Sequence, residues 1–162
     1  TLLAIESLRD VKGAVQFNLY GPVYDEAYWA KCQAAIASLP SHVTVDNKGT
    51  IPPEEVPGIL AEHHALFMPS AGENFGHTML EALSAGRPLL ISDRTPWREL
   101  EAEHAGWDLP LDRPEGFTEA VEKLCEMDQE TFDRWSQSAF VRGGRYVSDE
   151  GPVEASLKLL LP

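Results

Sequence analysis

Ala65-Leu66-Phe67-Met68-Pro69-Ser70-Ala71-Gly72-Glu73-Asn74-Phe75-Gly76-His77-Thr78-Met79-Leu80-Glu81-Ala82-Leu83-Ser84-Ala85-Gly86-Arg87-Pro88 is the stretch on which the reading of the chain turns. Its first four residues form a continuous apolar run closed by Pro69, the pattern of a strand buried on both faces. Its last part has helical spacing from Thr78 to Ala85, with Gly86 placed to end the helix. The loop between them sets two carboxylates, Glu73 and Glu81, eight residues apart around the expected helix start. A helix N-terminus offers free backbone N–H groups and a positive dipole end to a phosphate, while carboxylates accept hydrogen bonds from sugar hydroxyls. Together they point to a sugar nucleotide.

Working outward, strand and helix periods alternate. Thr1 to Leu8 reads as the later turns of an amphipathic helix with neither initiator Met nor cap, so the chain is expected to begin inside a larger protein. Val15, Phe17 and Leu19 alternate within Ala14 to Tyr20, predicting a strand that stops at Gly21-Pro22. Asp25 to Leu39 has Tyr28, Trp29, Cys32, Ile36 and Leu39 at helical spacing, and His42 to Asp46 alternates as a short strand. Pro52-Pro53-Glu54-Glu55 suits the first turn of a helix to Glu62. Beyond the central stretch, Pro88 to Ser92 reads as a buried strand. Thr95-Pro96 predicts the cap and first residue of a helix through Glu103. A strand over Gly106 to Leu111 follows, then helices over Pro114–Met127, Thr131–Val141 and Val153–Leu161. This order predicts an α/β fold, a Rossmann-like parallel sheet flanked by helices, over a single domain of residues 1–162. Ligands of such sheets bind beyond the carboxyl ends of the strands.

The loop from Pro69 to His77 leaves a strand at that edge and opens a helix. Gly72 and Gly76 would allow close approach or positive φ, and the N–H groups near Gly76, His77 and Thr78 would face an anion. A structural alternative stands beside this: Thr78-Met79-Leu80-Glu81 fits a capping box, in which Glu81 serves only its own helix.

Bulk properties narrow the classes. The chain has 162 residues, 43% of them hydrophobic, and a formal net charge of -13. A core of ordinary size can form, and so acidic a chain argues against nucleic acid or an anionic membrane surface as its partner. No apolar run approaches the roughly 18 residues that span a bilayer. Cys32 and Cys125 are read as buried free thiols in a reducing compartment. His42, His63, His64, His77 and His104 lie at no metal-ligand spacing and are read as surface or packing residues.

The set Pro69-Ser70, Glu73-Asn74-Phe75-Gly76-His77, Glu81-Ala82-Leu83, Ala85-Gly86-Arg87-Pro88, Ile91-Ser92-Asp93, Pro96-Trp97-Arg98 and Ala105-Gly106-Trp107 closely resembles the C-terminal, donor-binding half of retaining GT-B glycosyltransferases of the group 1 type. Their signature is Glu, seven residues, Glu. The resemblance runs over about residues 1 to 145 and is strongest between His64 and Leu111. It implies one half of a GT-B fold in a cytoplasmic hexosyltransferase of polysaccharide biosynthesis. The donor would be a nucleoside diphosphate sugar, and the acceptor a saccharide or lipid-linked glycan bound by an N-terminal domain outside this sequence. That domain could also bring the enzyme to the inner face of the membrane.

By the same resemblance, Glu73 contacts the transferred sugar and Glu81 binds the ribose hydroxyls. Gly72 and the backbone of Asn74, Phe75, Gly76, His77 and Thr78 lie near sugar and diphosphate, and Thr50 lies near the base, although Lys48-Gly49-Thr50-Ile51 reads equally well as a plain glycine turn. No metal cofactor is implied. The family's diphosphate-binding Arg and Lys lie upstream of Thr1, and Lys12 and Lys48 do not replace them, so the fragment alone is expected to be inactive. Arg94 and Arg98 could reach an anion, although Arg98 fits a structural ion pair. Trp97, Trp107 and Trp135 read as packing. Competing functions are a sugar-nucleotide epimerase or phosphorylase of the same architecture, and a noncatalytic nucleotide-binding module.

Overall fold

The computed structural model describes residues 1–148. The chain runs through α1 (Leu2–Ser7), β1 (Val15–Tyr20), α2 (Glu26–Ala37), β2 (Val43–Gly49), a 3-10 turn (Pro53–Glu55), α3 (Val56–Ala61), β3 (Leu66–Met68), α4 (His77–Ser84), β4 (Leu89–Ser92), β5 (Gly106–Leu109), α5 (Pro114–Glu126) and α6 (Gln129–Ser148). Local chemistry sets several of these ends. Asp25 caps α2 by accepting the Tyr28 N–H at 2.9 Å. Pro114 occupies the first position of α5, where no N–H is needed.

Among the described residues every strand pairing is parallel, as alternating strand and helix predict, but the strands form two sheets. In the first, β1 lies beside β2 with Val15 opposite Val43 and Asn18 opposite Asp46. In the second, β4 lies between β3 and β5, with Leu89 opposite both Leu66 and Gly106. No backbone hydrogen bond joins β1 to β3. Side chains bridge them instead: Phe17 and Phe67 rings lie 5.6 Å apart, and the Asn18 amide reaches His63 Nε2 at 2.9 Å. His63 Nδ1 donates to the Ile59 carbonyl at 2.7 Å, which leaves Nε2 as the acceptor for Asn18.

Burial follows the layers. Leu89 and Ile91 of β4 pack with Met79 and Leu83 of α4, Leu60 of α3 and Ala139 of α6. Leu90, from the opposite face, packs with Leu8, Val11, Trp107, Phe117 and Val121 under α1 and α5. A third cluster joins Ile5 of α1 to Cys32 and Ala35 of α2. All four residues of β4 are buried. Among the described residues, no helix is long and apolar enough to cross a membrane.

Three expectations are corrected. The helix over Pro96 to Glu103 does not form; residues 93–105 run as turns between β4 and β5. The Thr95 hydroxyl accepts the Trp97 N–H at 3.2 Å, Glu99 and His104 have φ of 59° and 55°, and the Asp108 carboxylate takes the Leu100 N–H at 2.9 Å. Positive φ interrupts a helix, and side-chain acceptors replace its carbonyls. The helix expected from Thr131 to Val141 is longer at both ends, as α6, with Asp128 accepting the Thr131 N–H at 2.8 Å. Finally, Cys32 is buried but Cys125 is exposed, its sulfur lying against Gly13 on the rim of α5. The helix expected over Val153 to Leu161 lies outside the described residues.

Candidate functional site

The chain leaves β3 at Met68 and crosses the carboxyl edge of the second sheet to Gly76, where α4 begins. This loop is fastened to the loop leaving β4 by three hydrogen bonds. The Ser92 hydroxyl donates to the Ser70 carbonyl, the Glu73 N–H to the Arg94 carbonyl at 3.1 Å, and the Trp97 indole N–H to the Phe75 carbonyl at 3.0 Å. Sequence reasoning did not find these ties, because each joins residues about twenty positions apart through a backbone carbonyl. The Ser70 hydroxyl also lies 3.2 Å from Glu73 Oε1 and 3.0 Å from the Gly72 carbonyl. It can orient the Glu73 carboxylate, which is half-buried.

Helix α4 opens without a side-chain cap. Gly76 stands at the cap with φ 76° and ψ 60°, and its carbonyl accepts the N–H groups of Met79 and Leu80 at 3.0 and 3.1 Å. A Cβ there would approach Met79 Sδ to 2.7 Å and Trp97 Nε1 to 3.3 Å and so push the Met79 side chain aside, while the left-handed φ by itself favours glycine. The capping-box alternative is not what forms. Thr78 is the second helical residue rather than the cap, and exposed Glu81, the fifth, bonds to no first-turn N–H among the described residues. The left-handed glycine starts the helix two residues earlier than a Thr78 cap would. Among the described residues, the N–H groups of His77 and Thr78 have no protein acceptor. They are the donors a helix start presents to an anion.

The structure thus brings Gly72, Glu73, Asn74, Phe75, Gly76, His77 and Thr78 together along one fastened loop and helix start. Glu81 lies one turn on, along the His77 side of α4. Gly72 has open space where a Cβ would stand and does not adopt positive φ, so the requirement expected of both glycines falls on Gly76 alone. Asn74, His77, Thr78 and Glu81 are exposed, and Phe75 is half-buried. Thr50 is exposed just beyond β2, at the carboxyl edge of the other sheet. Among the described residues no hydrogen bond links it to the Glu73 loop.

Nearby cations have carboxylate partners. Arg98 pairs with Asp108 at 3.2 Å, as its structural reading anticipated, Arg94 with Asp93 at 3.5 Å, and Lys48 with Asp46 at 3.1 Å. The histidines pack or bond locally: His77 against Phe75, His64 against Phe132, His104 against Trp135, and His42 to the Val11 carbonyl at 2.8 Å. Among the described residues, no three His, Cys, Asp or Glu side chains converge as metal ligands would. Trp97 and Trp107 are buried, and Trp135 stacks on Trp107 at 4.5 Å. A cavity of about 150 Å³ between β5 and α5 is lined by Trp107, Leu109, Arg113 and Lys123 and by none of the site residues above.

Solved structures share this fold. HepE of Anabaena, crystallised with UDP and glucose, superposes with a TM-score of 0.75 at 16% identity, over 96% of this chain and 44% of that one. S. aureus TarM, crystallised as a mutant with UDP and saccharide ligands, gives 0.74 at 17% identity, over 99% and 31%. The catalytic domain of cholesterol-α-glucosyltransferase from Helicobacter pylori gives 0.68 at 17%, over 90% and 87%. The chain spans less than half the length of the first two. No curated protein sequence matches it. The family described as "Glycosyl transferases group 1" matches residues 2–142, nearly the whole chain. The chain therefore belongs to the group 1 glycosyltransferases and carries the α/β fold of their GT-B members.

Proposed function

We propose that this chain is the donor-binding half of a retaining glycosyltransferase that moves a hexose from a nucleoside diphosphate sugar to a saccharide or lipid-linked acceptor. The observation that carries the proposal is the start of α4. An uncapped helix N-terminus at a left-handed glycine is flanked by Glu73 and Glu81. In this reading the N–H groups of His77 and Thr78 receive the diphosphate, Glu81 takes the ribose hydroxyls, and Glu73, steadied by Ser70, orients the sugar. Thr50 faces the base from the neighbouring sheet. As the sugar–phosphate bond breaks, negative charge grows on the departing diphosphate, and fixed backbone dipoles stabilise it without reorganising. No metal enters the scheme. The upstream half of the enzyme presents the acceptor and adds cations, and the fragment alone does not turn over. The enzyme works in the cytoplasm, reaching the membrane face through that other half.

UDP in the HepE and TarM structures makes uracil the first base to test. Calorimetric titration with UDP, GDP and ADP should give selective binding of one nucleotide. Absence of binding by all three, in a polypeptide that includes the upstream half, would remove the proposal.

A further inference from the structure

We propose that Trp97 is a positioning residue for the diphosphate end of the donor, with Tyr146 of α6 as its backing. The inference rests on the donor-binding reading above. Trp97 is 1% exposed, yet its one polar atom is directed out of the core, donating to the Phe75 carbonyl at 3.0 Å. That carbonyl shares a rigid peptide plane with the Gly76 N–H. Fixing the carbonyl fixes the entry angle of Gly76, whose left-handed conformation aims the next two N–H groups, those of His77 and Thr78. Without the indole donor, the buried-side carbonyl would turn to find water, and the plane would turn with it.

Tyr146 packs on both partners of this hydrogen bond. Its ring centroid lies 4.8 Å from that of Trp97 and 5.4 Å from that of Phe75, the latter edge to face. Phe75 lies against His77 at 4.4 Å, and the Arg142 guanidinium sits over the Trp97 ring at 5.8 Å. An aromatic chain thus runs from α6 to the first residue of α4. Sequence position conceals it, because Phe75, Trp97 and Tyr146 belong to three separate segments.

The test compares UDP with uridine, because misaimed helix-start amides weaken binding of phosphates and not of the nucleoside. Trp97→Phe keeps an aromatic ring, though a smaller one, and deletes the donor. It should raise the UDP dissociation constant about tenfold, the scale of one charge-assisted hydrogen bond, with uridine affinity nearly unchanged. Tyr146→Leu should raise it about threefold, in keeping with the loss of an aromatic pair. Val121→Ala, in the core under α5, serves as the control: it should lower the melting temperature without changing UDP affinity. A Trp97→Phe protein that melts lower but binds UDP normally, or that loses UDP and uridine affinity equally, overturns the positioning role. If Trp97→Phe does not fold, the same criteria applied to Tyr146→Leu decide. A wild-type protein that binds no nucleotide refutes the donor site itself, whereas wild type and variant binding alike refutes only this inference.

Discussion

The two sheets of this molecule differ in how they are covered. The β3–β4–β5 sheet is enclosed: β4 is buried along its whole length, with α4 and α6 on one face and α1 and α5 on the other. The β1–β2 sheet is covered on one face, where Phe17 and Leu19 meet α1 and α2, while Gln16, Thr44, Asp46 and Lys48 are exposed on the other. The loop with Glu73 grows from the enclosed sheet, and Thr50 from the half-covered one. A site that must aim backbone N–H groups needs a rigid base, and doubly covered strands supply it. A neighbouring surface that only flanks a ligand can be less constrained.

The strongest challenge to this contrast is Gly106→Ala in β5. Gly106 has φ 140°, and a Cβ there would lie 2.0 Å from the Leu89 carbonyl oxygen, inside the backbone of the central strand. Neither strand can yield without breaking the sheet, so the change should cost more than about 4 kcal/mol and prevent folding. Urea denaturation followed by circular dichroism would detect it. A folded variant of near-normal stability would mean that this sheet is less rigid than its burial implies.

Next in expected size are the two carboxylates, which separate function from scaffold. Glu73→Ala should abolish transfer in the full enzyme while nucleotide affinity stays close to normal. If Glu81 takes the ribose hydroxyls as proposed, Glu81→Ala should weaken nucleoside diphosphate binding about tenfold or more, with little loss of stability because the side chain is exposed. Calorimetry alongside thermal melting checks both. An unchanged affinity with a lowered melting temperature would return Glu81 to a helix-stabilising role.

How much of this was legible in the sequence follows the same division. The stretch from Ala65 to Gly86 announced itself, because a continuous apolar run, a glycine-bearing loop and a helical period are local signals, and β3 and α4 lie where those signals put them. The helix read from Thr95-Pro96 through Glu103 does not form because the conformation of that stretch is decided from a distance. Asp108 takes the Leu100 N–H, and Trp97 sends its indole donor to Phe75, twenty-two positions earlier in the chain. A Thr-Pro pair advertises a helix start, but propensity gives way when side-chain acceptors and positive φ offer the backbone another arrangement. Helix α4 starts at His77, one residue before the expected Thr78, and the positive φ that the sequence allowed at Gly76 opens it, whereas the capping box weighed as the alternative does not form. The splitting of the strands into two sheets carried no sequence signal, since alternation specifies a strand and not its neighbour.

A graded test compares core and surface between the sheets. Ile91→Ala, in β4, should cost about 2–5 kcal/mol, as buried aliphatic truncations do. Thr44→Val, on the open face of β2, should change stability by no more than about 0.5 kcal/mol. Its hydroxyl makes only a 3.5 Å contact with the Val15 carbonyl. A large penalty at Thr44, read from denaturant midpoints, would show that this face is covered after all.

The smallest effect concerns acid, at the outer edge of the enclosed sheet. Lys123 donates to Glu101 Oε1 at 2.7 Å and the Trp107 indole donates to the same oxygen at 3.1 Å. The Lys123 hydrogen bond, helped by Trp107 and by the lysine charge, holds the Glu101 carboxyl below its ordinary value of 4.5. A depressed folded-state value means that the unfolded chain binds the proton first. The contribution is therefore complete above the unfolded value and is lost as pH falls through the folded one. Both side chains are more than half exposed, so screening keeps the pair below about 1 kcal/mol. Lys123→Met should accordingly lower stability slightly near neutrality, and the gap from wild type should close in acid below the folded-state value. A gap that persists unchanged into acid would mean that the effect does not come from the lysine charge on Glu101.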